Sequence, residues 1–153
     1  MCIRDRRDPV DLDSVRPEPI TVYGDTRGAL WKAMAASGPG ACSSFGELYV
    51  VHSCKGAVRG NHYHRSTTEW FLVVQGKGTL RLAIPGEPQT GEPQAGEPEK
   101  REYLLDASHP AVLKIPPGIA HRFIAEAEGT TILLAVADRE YDENAPDTVP
   151  HTL

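Results

Sequence analysis

Gly60-Asn-His-Tyr-His-Arg-Ser-Thr-Thr-Glu-Trp70 is the stretch on which the reading of this chain turns. His62 and His64 are two residues apart, so on a strand both side chains leave the same face. Arg65-Ser-Thr-Thr68 is polar and reads as a turn, which lets the chain reverse and bring Glu69 beside the two imidazoles. Seven residues after Glu69, Gly76 closes the next strand within Gln75-Gly-Lys-Gly78. Much later, Pro116-Pro-Gly-Ile-Ala-His121 delivers a third histidine straight after a tight turn. Three imidazoles and one carboxylate suit Zn, Fe, Mn, Ni or Co. Such a set leaves coordination positions open, as catalytic metal sites do. We therefore expect one divalent metal ion on His62, His64, Glu69 and His121. His52, His109 and His151 fall outside the pattern and are not expected to be ligands.

Around this stretch the chain is punctuated by 14 glycines and 13 prolines, which break its apolar sequence into short runs. Short runs rich in Val, Ile, Leu, Phe and Trp predict strands at Leu48–His52, Glu69–Val74, Thr79–Ile84, Val112–Ile115, Arg122–Ala125 and Thr131–Ala137. Only Arg27–Ala36, Ala-rich between glycines, has a helical character. With 153 residues the chain fits one domain. Residues 1–19 are Asp- and Pro-rich and read as an N-terminal arm, loose or packed on a partner. Its opening MCIRDR reads as an artefact and is set aside. Residues 20–153 form the single domain. Within it, GEPQT, GEPQA and GEPEK (Gly86 to Lys100) are dominated by glycine, proline and glutamate, which cannot build a packed core, so residues 86–100 read as a solvated hairpin insertion. The polar tail Tyr141–Leu153 is expected to run over the surface.

The formal net charge of −5 gives no general attraction to nucleic acid or anionic membranes. A phosphate-bearing ligand would need a local basic group. No apolar stretch approaches the roughly 20 residues of a membrane span, and the charged MCIRDRRDP start lacks the apolar centre of a secretory signal. The expected location is cytoplasmic. Cys2, Cys42 and Cys54 form no CxxC pair, and Cys42 and Cys54 are expected to be reduced thiols unless the fold brings them together.

The ordered pattern HxH-x4-E-x6-G followed by PxGxxH resembles the two motifs of the cupin superfamily. That resemblance implies an all-β fold, the cupin double-stranded β-helix, a jelly-roll barrel of two antiparallel sheets. Ala125 stands where the second motif usually has Asn, a position that is not a ligand. Gly24-Asp-Thr-Arg-Gly28, Lys55-Gly-Ala-Val-Arg-Gly-Asn-His-Tyr-His64 and the late Pro146-Asp-Thr148 narrow the likeness. They resemble the C-terminal cupin domain of capsular polysaccharide assembly enzymes and, more loosely, dTDP-4-dehydrorhamnose 3,5-epimerases. The closer resemblance implies zinc and epimerisation at C3 of a nucleotide-linked 4-keto-6-deoxy sugar in surface polysaccharide biosynthesis. It also implies a reductase acting on the 4-keto group. No GxGxxG occurs here, so a separate reductase is expected as a pathway partner, and small proteins of this resemblance are expected to be homodimers.

Epimerisation next to a ketone needs a Lewis acid on the carbonyl oxygen and a base and acid within reach of the carbon. Tyr49 and Glu47 share one strand face and are the candidate catalytic pair; Arg59, just before the histidines, is the candidate contact for a diphosphate. The same ligand set serves a metal-dependent dioxygenase or sugar isomerase. A non-catalytic sugar-binding cupin is the third reading.

Overall fold

The computed structural model describes residues 10–38, 40–86 and 99–153; the MCIRDR opening and most of the GEPQ repeat lie outside the described residues. A 3-10 turn at Leu12–Ser14 precedes the strands. These are β1 (Glu18–Pro19), β2 (Val22–Asp25), β3 (Gly28–Trp31), β4 (Glu47–Ser53), β5 (Val58–His64) and β6 (Glu69–Gln75), followed by β7 (Lys77–Ala83), β8 (Lys100–Asp106), β9 (Ala111–Ile115), β10 (Ala120–Ala125), β11 (Thr131–Ala137) and β12 (Thr148–Pro150). Two five-stranded sheets, ordered β1-β9-β6-β11-β4 and β12-β5-β10-β7-β8, carry the domain, and β2-β3 is a separate hairpin. Every strand pair is antiparallel. This is the all-β jelly-roll that the motifs imply.

β6 shows why its sequence is nearly continuous in apolar residues. Phe71 and Val73 enter the main core with Leu113, Ile115 and Leu133 of their own sheet and Leu80, Leu82, Leu105 and Phe123 of the other. Trp70 points the opposite way, where Val112 and Val136 join it under Ile20, Met34 and Cys42. Both faces of β6 are thus covered, so alternation is lost.

Two expectations change. Arg27–Ala36 is not helical: Gly28–Trp31 pairs with Val22–Asp25 as a hairpin, with the Asp25 carboxylate accepting the Arg27 N–H at 2.8 Å across its turn. Cross-strand pairing overrides the helix preference of its alanines. Residues 10–19 are not a loose arm. Leu12 and Val15 are 1% and 3% exposed in the main core, and β1 pairs with β9. Two apolar side chains in an Asp/Pro-rich run suffice to bind it to its own barrel. The tail runs over the surface as expected, with none of Tyr141–Leu153 buried, and is pinned there by β12, which pairs Thr148, Val149 and Pro150 with His64, Tyr63 and His62. Cys42 and Cys54 are both free thiols. Among the described residues no helix is long and apolar enough to cross a membrane.

Candidate metal centre

The four predicted ligands meet at one mouth of the barrel. β5 reaches it through a bulge, where the β5–β10 register shifts between His121 and Arg122. Gly60 (φ 91°) and Asn61 (φ 61°) both take the left-handed conformation there. A Cβ on Gly60 would lie 2.6 Å from the His121 carbonyl oxygen, so only glycine lets β5 approach β10 this closely. Asn61 is held in place by the tail: its carbonyl accepts the His151 N–H at 2.8 Å, and its Oδ1 accepts the Leu153 N–H at 3.1 Å. Past the bulge, His62 stands beside His121 with ring centroids 4.8 Å apart and beside His64 at 5.1 Å.

Glu69 opens β6 and is delivered by a turn that two acids hold. Asp147 Oδ2 accepts from Ser66 N–H (3.0 Å), Thr67 N–H (2.8 Å) and Thr67 Oγ1–H (2.7 Å), and Asp138 Oδ1 accepts from Thr68 N–H (3.0 Å). Glu69 and His121 are 3% and 2% exposed. One donor atom from each of His62, His64, Glu69 and His121 lies within 4.8 Å of all the others.

The donor chemistry fits a cation. Glu69 Oε2 is 3.2 Å from His64 Nε2 and 3.1 Å from His121 Nε2. Even so, Glu69 Oε2 and His64 Nε2 are buried polar atoms with no aligned hydrogen-bond partner. Such atoms destabilise a fold unless something satisfies them. Lone pairs turned toward a shared centre instead of toward one another are what a divalent ion with N/O ligands requires. The far sides of three ligands are engaged as metal ligands usually are. Glu69 Oε1 accepts the Tyr49 hydroxyl at 2.5 Å, His121 Nδ1 faces the Ile119 carbonyl at 3.3 Å, and His64 Nδ1 faces Thr148 Oγ1 at 3.5 Å.

The electrostatics agree. Burial pushes the Glu69 carboxyl up, but His121 and His64 outweigh it and hold it well below the usual carboxylate range. Burial, seconded by His121 and His64, lowers His62 to about 4, so its lone pair is free at neutral pH. His64 is pulled down by burial and lifted above its ordinary value by the close Glu69 carboxylate and its charge. Tyr49 is pushed above the usual phenol range by burial, then by the charge of Glu69 and the bond to it, and last by Glu47.

A cavity of about 530 Å³ opens over this cluster, lined among others by Glu47, Tyr49, His62, His64, Arg139 and Tyr141. Glu47 and Tyr49, which share one face of β4, both line this cavity. Arg59 is not brought there. It precedes the bulge and turns to β4, its Nε donating to Ser53 Oγ (3.3 Å) and its Nη2 to the His52 carbonyl (3.2 Å). The basic residue lining the cavity is Arg139, whose Nε is 3.6 Å from Asp138 Oδ1. Sequence reasoning missed it, although it lies two residues past the end of β11, where Ala137 pairs with Glu69. Gly46 makes room for it: a Cβ there would lie 2.1 Å from the Arg139 Cα. Asp147 was missed as well, because its partners are distant in sequence.

The profile of the family described as "Polysaccharide biosynthesis C-terminal domain" matches residues 23–149. The chain belongs to that family. No curated protein matches it. Among solved structures, this polysaccharide biosynthesis C-terminal domain is similar to the capsular polysaccharide assembling protein CapF of Staphylococcus aureus, at 25% identity and a TM-score of 0.61. The match covers 88% of this chain but only 35% of that one, so the chain spans about a third of CapF's length. It is also similar to QdtA, a sugar 3,4-ketoisomerase of Thermoanaerobacterium thermosaccharolyticum solved with TDP (21% identity, TM-score 0.69, covering 91% and 89% of the two chains). NovW, a 4-keto-6-deoxy sugar epimerase of Streptomyces spheroides, matches at 18% identity and a TM-score of 0.67, covering 85% and 71%. At these identities the last two establish a shared fold.

Proposed function

We propose that the chain is a metal-dependent sugar-nucleotide epimerase acting at C3 of a nucleotide-linked 4-keto-6-deoxy sugar. The observation that carries this reading is the convergence of His62, His64, Glu69 and His121, with Glu69 Oε2 and His64 Nε2 buried and unpartnered, beneath a cavity of about 530 Å³. Family membership and the likeness to CapF and to sugar-nucleotide epimerases and ketoisomerases support it. The four residues would hold zinc, which when bound supplies a Lewis acid that acidifies a proton next to a carbonyl.

This chain's own groups would do the rest. The Glu47 carboxylate, on the cavity wall, takes the C3 proton. Arg139 holds the diphosphate, a role that Arg59 is turned away from serving. Tyr49 faces the cavity, but its proton is committed to Glu69. Return of a proton from the opposite face falls to another group at the same mouth, where Glu140, Tyr141 and Asp142 stand. A second copy of the chain and a separate reductase complete the proposal.

The test is incubation with UDP- and dTDP-linked 4-keto-6-deoxy sugars in D2O, with deuterium uptake at C3 followed by NMR. Exchange should stop on chelation and return with zinc. Exchange at full rate in chelated protein would remove the metal from the mechanism. No exchange of any of these sugars in the zinc-loaded form would favour the sugar-binding reading.

A further inference from the structure

We infer that Tyr49 is a positioning residue of the metal centre: its hydroxyl holds Glu69 by one carboxylate oxygen, so that the other alone faces the histidines. The inference rests on the metal-centre reading above and concerns a residue two strands away from the ligand it acts on. In the ladder β4–β11–β6, Tyr49 pairs with Ala135 and Glu69 pairs with Ala137. Directly paired residues point to the same side of a sheet, so Tyr49, Ala135, Ala137 and Glu69 all face the barrel mouth. Strands are about 4.8 Å apart, which puts β4 about 10 Å from β6. A tyrosine can cross that gap toward a glutamate only if the strand between carries small side chains. Ala135 and Ala137, 0% and 4% exposed, are those side chains. The hydroxyl arrives 2.5 Å from Glu69 Oε1.

The consequence lies in how the two carboxylate oxygens are divided. Oε1 is taken by the phenol, whereas Oε2 lies 3.2 Å from His64 Nε2 and 3.1 Å from His121 Nε2 and has no hydrogen bond. With Oε1 tied, Glu69 offers a cation one oxygen instead of two. It also cannot rotate away from the imidazoles without breaking a short bond. An ion held through a single carboxylate oxygen keeps a position free for substrate. Partners of this kind outside the ligand set typically change metal affinity by 10- to 100-fold, on the order seen when such groups are removed.

The experiment compares wild type, Tyr49→Phe, Glu69→Gln and the double variant in two ways. Metal affinity is measured by competition with a chromophoric chelator, and the ligand field is read from the visible absorption of Co²⁺ added to stripped protein. Urea midpoints of the metal-free forms are recorded alongside. Tyr49→Phe should bind Zn²⁺ about 10- to 100-fold more weakly and shift the Co²⁺ spectrum, and its effect should largely vanish in the Glu69→Gln background. Wild-type affinity and spectrum in Tyr49→Phe would overturn the inference while leaving the metal centre intact. So would a lowered urea midpoint alone, or effects of the two substitutions that simply add. Failure of the wild-type protein to bind either ion would overturn the metal-centre reading and this inference with it.

Discussion

Replacing His121 by alanine removes a side chain that packs in the core and is a proposed metal ligand, and the two losses can be read separately. The His121 ring is 2% exposed and meets Phe71 edge-on at a centroid distance of 5.4 Å, between β5 and β7. Truncating a buried side chain of this size costs about 2–4 kcal/mol. At about 2–4 °C per kcal/mol for a chain of this length, the metal-free Tm should fall by about 4–16 °C. Metal adds a second quantity. An ion at about 1,000 times its Kd stabilises the native state by about 4 kcal/mol. The wild-type melt should then rise by about 8–16 °C on loading, and His121→Ala should lose that rise. His64→Ala is the control, because its side chain is 15% exposed and packs less tightly. It should lose the same metal-dependent rise with a smaller drop in the metal-free melt. The assay is a pair of thermal melts, stripped and zinc-loaded, with elemental analysis of each protein. Either variant keeping the full rise and one metal per chain would refute the ligand assignment.

The remaining predictions concern the shell around the centre. His62 has a folded pKa of about 4, below its ordinary 6.5, so the unfolded chain takes up the proton first as pH falls. The stability contributed by neutral His62 is present above about pH 6.5 and lost toward about pH 4. His64 titrates in the opposite sense, so the measurement is the difference between urea midpoints of metal-free wild type and His62→Gln at pH 7 and pH 5. An identical pH slope in both proteins would contradict the assignment. Asp147→Ala strips three hydrogen bonds from the Ser66–Thr67 turn, with Thr67 6% exposed, and should cost about 2–3 kcal/mol. An unchanged urea midpoint would show that the turn stands without it. Deleting Glu87–Glu99 should leave folding and metal content intact, since loop length changes stability by only about 0.6 kcal/mol per doubling. A loss of several kcal/mol would show that the repeat packs against the barrel.

The parts of this protein that the sequence exposes are those governed by period and punctuation. Strand β6 is legible because seven residues from Glu69 to Gln75 are bounded by a polar turn and Gly76. The same is true of β7, β9, β10 and β11, each close to the predicted run. The clustering of the candidate ligands was legible for a related reason. A period of two puts His62 and His64 on one face, and turns at Arg65–Thr68 and Pro116–Gly118 return the chain with Glu69 and His121. What the sequence concealed depends on pairing at long range. Nothing local to Arg27–Ala36 says that Val22–Asp25 will claim its first half as a strand, and nothing local to Leu12 and Val15 says that the core is short of two side chains.

The same division explains the site. The candidate ligands could be read from strand period and turns, whereas the residues that aim them come from other elements altogether. Tyr49 reaches Glu69 across a strand of alanines, Asp147 closes on the Ser66–Thr67 turn from the tail, and His151 and Leu153 fix the left-handed Asn61 that precedes His62. Arg59 and Arg139 show the point most sharply. By proximity in sequence Arg59 belongs with the histidines, yet the bulge at Gly60 and Asn61 intervenes and its guanidinium spends its donors on β4. Arg139 is 18 residues beyond His121, but it lies at the end of β11, and β11 ends beside Glu69 because Ala137 is its ladder partner. In a barrel, the residues that share a mouth are those at matching ends of neighbouring strands. Register therefore selects the second layer of the site, and register is set by pairings that no single stretch of this sequence contains.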